Sequence, residues 1–72
     1  MKKTFALIDL DCANCAAKME RAIAKIDGVN EVTVSFLAQK LVLDADDARF
    51  DEIVDAAAAA IRKVDSDCRL KK

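Results

Sequence analysis

Twice along this chain the spacing of apolar residues switches from two to three-and-four and back, and that alternation limits the folds available to it. Residues 3–10 alternate, with Phe5 and Leu7 on one face and Thr4, Ala6 and Ile8 on the other, which predicts a strand. Across residues 14–26, Ala16, Met19, Ile23 and Ile26 recur three and four apart while Lys18, Arg21 and Lys25 point elsewhere. That is the stripe of an amphipathic helix. Asn14 is the expected N-cap, and Gly28 falls where a left-handed residue would end the helix. Val32, Val34 and Phe36 then alternate against Thr33 and Ser35, and Leu41 and Leu43 alternate after a connection near Ala38-Gln39. This reads as a β-hairpin, although its turn lacks the usual Asn-Gly or Asp-Gly. Residues 49–63 carry a second helical stripe through Phe50, Ile53, Val54, Ala57 and Ile61, with Asp46 or Asp47 as cap. Residues 67–70 give a last short strand with Cys68 and Leu70 on one face.

The order β-α-β-β-α-β predicts an α+β, ferredoxin-like βαββαβ fold, a four-stranded antiparallel sheet with both helices on one face. In that topology the first strand is central and antiparallel to the last. The end of strand one, the start of helix one and the start of strand four therefore meet at one end, where Cys12 and Cys15 fall. A chain of 72 residues supports one domain, and nothing in it looks like a linker or repeat.

Composition narrows the chemistry. Twelve basic residues against 13 acidic give a net charge of −1, without the basic excess of a nucleic-acid-binding surface. There is no His, the commonest general acid/base and metal ligand, and no Pro. The longest apolar run, residues 56–61, is far too short to insert in a membrane, and no secretory signal is evident. Three cysteines, an odd number, read as thiols of a reducing, cytoplasmic compartment rather than a disulfide framework.

Two of those cysteines are three apart, Cys12-Ala13-Asn14-Cys15, at a strand-to-helix junction where the positive helix N-terminus favours thiolate, the metal-binding form. A dithiol redox centre would need a thioredoxin-like frame with a cis-Pro facing the pair, and this chain has neither that strand order nor any Pro. Two buried structural cysteines would sit poorly among Asp9, Asp11 and Asn14. A soft-metal site is the better reading. Cys68 reads as a core residue, as does Met19.

The segment Leu10-Asp11-Cys12-Ala13-Asn14-Cys15-Ala16-Ala17-Lys18-Met19-Glu20, followed by Ile26-Asp27-Gly28-Val29 and Val32-x-Val34, resembles the heavy-metal-associated domain. That family includes copper chaperones, mercury-binding proteins and the N-terminal domains of metal-transporting P-type ATPases. The resemblance covers residues 1–72 in order and in spacing. Copper(I) and mercury members typically read Met-Thr before the first cysteine; here Leu10-Asp11 stands in that place. An Asp there is similar to the zinc-, cadmium- and lead-transporting ATPases, where it is a metal ligand. The resemblance thus implies Asp11, Cys12 and Cys15 as ligands of one Zn²⁺, Cd²⁺ or Pb²⁺, with Cu⁺ the alternative. Carboxylate oxygen suits a divalent ion, whereas two thiolates already satisfy copper(I). Asp65 and Asp67 are further candidates for a fourth ligand, against the simpler reading of an acidic loop.

The expected function is binding and transfer of such an ion by a cytosolic, non-enzymatic domain of a metal-exporting ATPase. Its expected partners are the ion and a membrane transporter domain or metallochaperone that exchanges it. A free-standing metallochaperone is the alternative.

Overall fold

The computed structural model describes residues 1–71 and has the expected element order. Strand β1 spans Lys2–Ile8, helix α1 Ala13–Ala24, β2 Val29–Ser35, β3 Lys40–Ala45, helix α2 Phe50–Val64 and β4 Arg69–Lys71. A short 3-10 turn, Asp47–Arg49, leads into α2. The sheet order is β2-β3-β1-β4, so β1 is central, antiparallel to β3 on one side and β4 on the other. Leu7 faces Leu70 across β1–β4, and Phe5 faces Leu41 across β1–β3.

The periodicities are accounted for by burial. Phe5 and Leu7 from β1, Val32 from β2, and Leu41, Leu43 and Ala45 from β3 are buried on one sheet face. Ala16, Met19 and Ile23 of α1 and Phe50, Ile53, Val54, Ala57 and Ile61 of α2 close over them. The Phe5 and Phe50 rings stack at 6.4 Å between centroids, joining sheet to helix. Cys68 is fully buried in the same core, ahead of β4, as expected for a small apolar residue.

The boundaries differ from expectation where local geometry intervenes. β1 stops at Ile8 because Asp9 takes a left-handed φ of 62° and turns the chain, sending Leu10 into the core outside the strand. Helix α1 ends at Ala24, before Ile26, which is only half-buried in the turn to Gly28. Asp46 caps the 3-10 turn rather than α2, accepting the Ala48 N–H at 3.2 Å. A bulge between Val29 and Glu31 lets β2 start in register with Ala45 and still turn Val32 inward. The β2 edge is tied to α1: Glu20 Oε2 accepts the Val34 N–H at 2.9 Å, occupying a main-chain donor on an edge strand.

Candidate metal centre

The left-handed turn at Asp9 and the burial of Leu10 lift the next residues to the surface. Asp11 is exposed, and Cys12 and Cys15 are half-exposed at the start of α1. Cys12 itself is the N-cap, with φ −134° and ψ 117°, where Asn14 was expected. Its Sγ accepts the Cys15 N–H at 3.3 Å, and its carbonyl oxygen accepts the Ala16 N–H at 3.1 Å. Sulfur thus does the work an oxygen usually does at this position. The motif spacing and the helix start are one feature: the N3 amide of the helix belongs to the second cysteine.

The two thiols are inequivalent. Cys12 titrates below an ordinary thiol; the Cys15 thiol hydrogen bond lowers it most, and the Cys15 and Asn14 N–H groups add to that. Partial burial and the Asp11 carboxylate act the other way. Cys15 is raised, first because it donates to Cys12, then by burial, by the Cys12 charge and by Asp65; Lys18 opposes the rise. The pair therefore shares a thiol hydrogen bond that favours ionisation of Cys12 over Cys15, at the positive end of a helix dipole. A soft cation binding both sulfurs would displace their protons.

Carboxylates lie at the same end of the domain, with Asp11 acting on Cys12 and Asp65 on Cys15. Asp9, Asp11 and Asp67 line an open hollow with Ile8, Ser66 and Arg69. Asp65 ends α2 in a turn of its own, with Oδ1 accepting the Asp67 N–H at 3.0 Å and its carbonyl oxygen accepting the Cys68 N–H at 3.1 Å. Burial raises the Cys68 thiol most, and Asp65, Asp9 and Asp11 raise it further, so Cys68 is held as a neutral core thiol. Among the described residues, no three Cys, Asp or Glu side chains are gathered closely enough to hold an ion together. Cys12 and Cys15 share a thiol hydrogen bond, and Asp11, exposed, makes no group of three with them. The donor chemistry fits a soft or borderline cation, two sulfurs together with oxygen donors nearby.

One contact at this end escaped sequence reasoning. The side chain of Gln39, in the β2–β3 connection, bonds the main chain of Leu10 on both sides. Its Oε1 accepts the Leu10 N–H at 3.1 Å, and its Nε2 donates to the carbonyl oxygens of Leu10 and of Phe36. The signal was the hairpin turn without Gly or Asn, a place where some residue had to accept a left-handed backbone.

Fold and site together define a small βαββαβ metal-binding domain, and the chain belongs to the heavy-metal-associated domain family, whose model matches residues 4–65. A zinc/cadmium/lead-transporting P-type ATPase of Shigella sonnei is 43% identical over 56 residues, covering 74% of this chain and 8% of the transporter. The copper chaperone CopZ of Enterococcus hirae is 35% identical over 48 residues, 67% of this chain and 70% of the chaperone. The crystal structure of oxidised MerP from Ralstonia metallidurans superposes with a TM-score of 0.77 at 25% identity, covering 100% of this chain and 97% of MerP. This chain thus spans only a small fraction of the transporter's length and most of the chaperone's. No helix among the described residues is long and apolar enough to cross a membrane.

Proposed function

We propose that the domain binds and hands on one divalent soft or borderline ion, Zn²⁺, Cd²⁺ or Pb²⁺, through Cys12, Cys15 and Asp11, as the cytosolic N-terminal domain of a metal-exporting P-type ATPase. The observation that carries the reading is the pairing of Cys12 and Cys15 at the N-terminus of α1, with Cys12 Sγ capping the helix and Asp11 adjacent in sequence. The similarity to a zinc/cadmium/lead-transporting ATPase supports the choice of ion. The ion is the domain's cargo. Cys12, already below its ordinary pKa, takes it first, and Cys15 joins as its proton leaves to solvent. Rotation of the exposed Asp11 side chain adds an oxygen donor, and its charge offsets that of the divalent ion.

Three protein ligands leave a tetrahedral ion one position open. A thiolate or carboxylate of the receiving protein enters there before Cys15 or Asp11 leaves, so the ion passes by exchange and is never bare. Half-exposure of both cysteines suits such an approach. Titration with Cd²⁺, followed by the ultraviolet charge-transfer band of the cadmium–thiolate bond, tests the reading. Wild type is expected to saturate at one ion per chain, and Cys12→Ser and Cys15→Ser each to lose most of the band. A full band in either variant would remove that cysteine from the site.

The second reading, a free-standing metallochaperone, rests on the coverage of 70% of the length of a copper chaperone. The natural reading frame decides: several apolar stretches of about 20 residues downstream favour the ATPase, and a stop codon after Lys72 favours the chaperone.

A further inference from the structure

The connection between β2 and β3 contains a residue that the turn itself does not want. Gln39 has φ 55°, in the left-handed region where Gly or Asn is the comfortable choice. A side chain that keeps such a position against backbone strain is held by its surroundings, and strained positions cluster at functional sites. Here the surroundings are explicit. The carboxamide spends its acceptor on the Leu10 N–H at 3.1 Å and its two donor hydrogens on the carbonyl oxygens of Leu10 and Phe36. The main chain of Gln39 is engaged as well, its carbonyl oxygen accepting the Leu7 N–H at 2.8 Å and extending the β1–β3 ladder. Leu10 is 2% exposed, so the residue just before Asp11-Cys12 is pinned by its side chain in the core and by its peptide groups to Gln39. On its other flank lies the left-handed Asp9. The clamp therefore fixes the point from which the metal-binding segment leaves the core.

We propose that Gln39 is a positioning residue for the metal site: its carboxamide holds the Leu10 peptide so that Asp11 and Cys12 are presented in one arrangement before the ion arrives. The inference rests on the metal-binding reading above. A segment already ordered loses less freedom on binding, and groups that orient ligands without touching the metal commonly change affinity about 10–100-fold when removed. Gln39 touches neither sulfur; it acts through the Leu10 backbone.

The discriminating variant is Gln39→Gly, which relieves the backbone strain while deleting the clamp, with Gln39→Met as a second variant that keeps the bulk of the stem. Two measurements are made well below the unfolding midpoint of each protein: Cd²⁺ affinity by competition with a chromophoric chelator, and amide hydrogen exchange at Leu10 and Leu7. The Leu7 amide bonds the Gln39 main chain, which both variants keep, so it reports general loosening, whereas Leu10 reports the clamp. The expected result is Leu10 exchange faster by about tenfold or more with Leu7 unchanged, and Cd²⁺ affinity lower by about tenfold or more. Wild-type affinity in both variants overturns the positioning role alone. So does an affinity loss in which Leu7 and Leu10 loosen equally, since the hairpin then matters only as structure. A wild-type chain that binds no Cd²⁺ overturns the metal reading, and the positioning role with it.

Discussion

Replacing Gly28 by Ala separates the stability of the frame from the chemistry of the site. Gly28 joins α1 to β2 at φ 95°, and its carbonyl oxygen accepts the Asp46 N–H at 3.0 Å. A Cβ there meets Ile53 Cδ1 at 2.7 Å, well inside contact distance, and Ile53 is 1% exposed with little room to retreat. Two costs add. Holding a residue with a Cβ in the left-handed region costs about 1–2 kcal/mol, and forcing a methyl group into a packed site costs about 1–3 kcal/mol. The expected loss is about 2–5 kcal/mol, or a fall in Tm of roughly 10–40 °C for a domain of this size. Urea unfolding followed by circular dichroism measures it. A double-mutant cycle with Ile53→Val then divides the total, because that change deletes the offending Cδ1 and leaves the next carbon at 3.7 Å. In the Ile53→Val background, Gly28→Ala should cost only the backbone part, about 1–2 kcal/mol. A single-mutant loss below about 0.5 kcal/mol, or no coupling to Ile53→Val, would refute the argument. Metal affinity, measured where the variant is folded, should not change.

Three further outcomes follow from the same contacts. Iodoacetamide at neutral pH should modify Cys12 before Cys15, because Cys12 is lowered chiefly by the Cys15 hydrogen bond and Cys15 is raised by giving it; peptide mass spectrometry reads the order, and Cys15 first would contradict it. Cys68 is raised by burial, so its contribution to stability is complete below the thiol's unfolded pKa, about 8.5, and is lost as pH rises through that value toward the folded one. The urea midpoint should therefore fall on the alkaline side, and less so in Cys68→Ala. Glu20→Ala removes the acceptor of the Val34 N–H and should cost about 1–2 kcal/mol, with faster exchange of the Val34 amide; Glu20→Gln should recover part of both.

Residues whose position follows from periodicity were legible. Phe5, Leu7, Ala16, Met19, Ile23, Phe50, Ile53, Val54, Ala57 and Ile61 are all buried, because a two-layer fold forces each stripe inward. The left-handed backbone of Gly28 was legible, but not its place. Helix α1 ends at Ala24 with Lys25 as C-cap, so Gly28 does not end the helix but sits further on, in the turn to β2. The N-cap of α1 was not legible, since capping preferences favour oxygen and Asn14 is the nearest candidate; the structure uses Cys12 Sγ instead. Ile26 fits the stripe on paper but lies beyond the last helical turn, where spacing no longer reports direction. At the site, the cysteine pair was legible from its spacing at a strand-to-helix junction. The Gln39 clamp was not, because it joins residues 29 apart in sequence through a side chain no pattern marks.

On the proposed function, Asp11 is the residue that separates a divalent-ion domain from a copper(I) domain with the same cysteines. Competition titrations of wild type and Asp11→Ala with Zn²⁺, Cd²⁺, Pb²⁺ and Cu⁺ test it. Asp11→Ala should weaken all three divalent ions while Cu⁺ binding stays intact. Removing the carboxylate that opposes Cys12 ionisation should, if anything, strengthen the thiolate. An unchanged Zn²⁺ affinity in Asp11→Ala would contradict the assignment of Asp11 as a ligand.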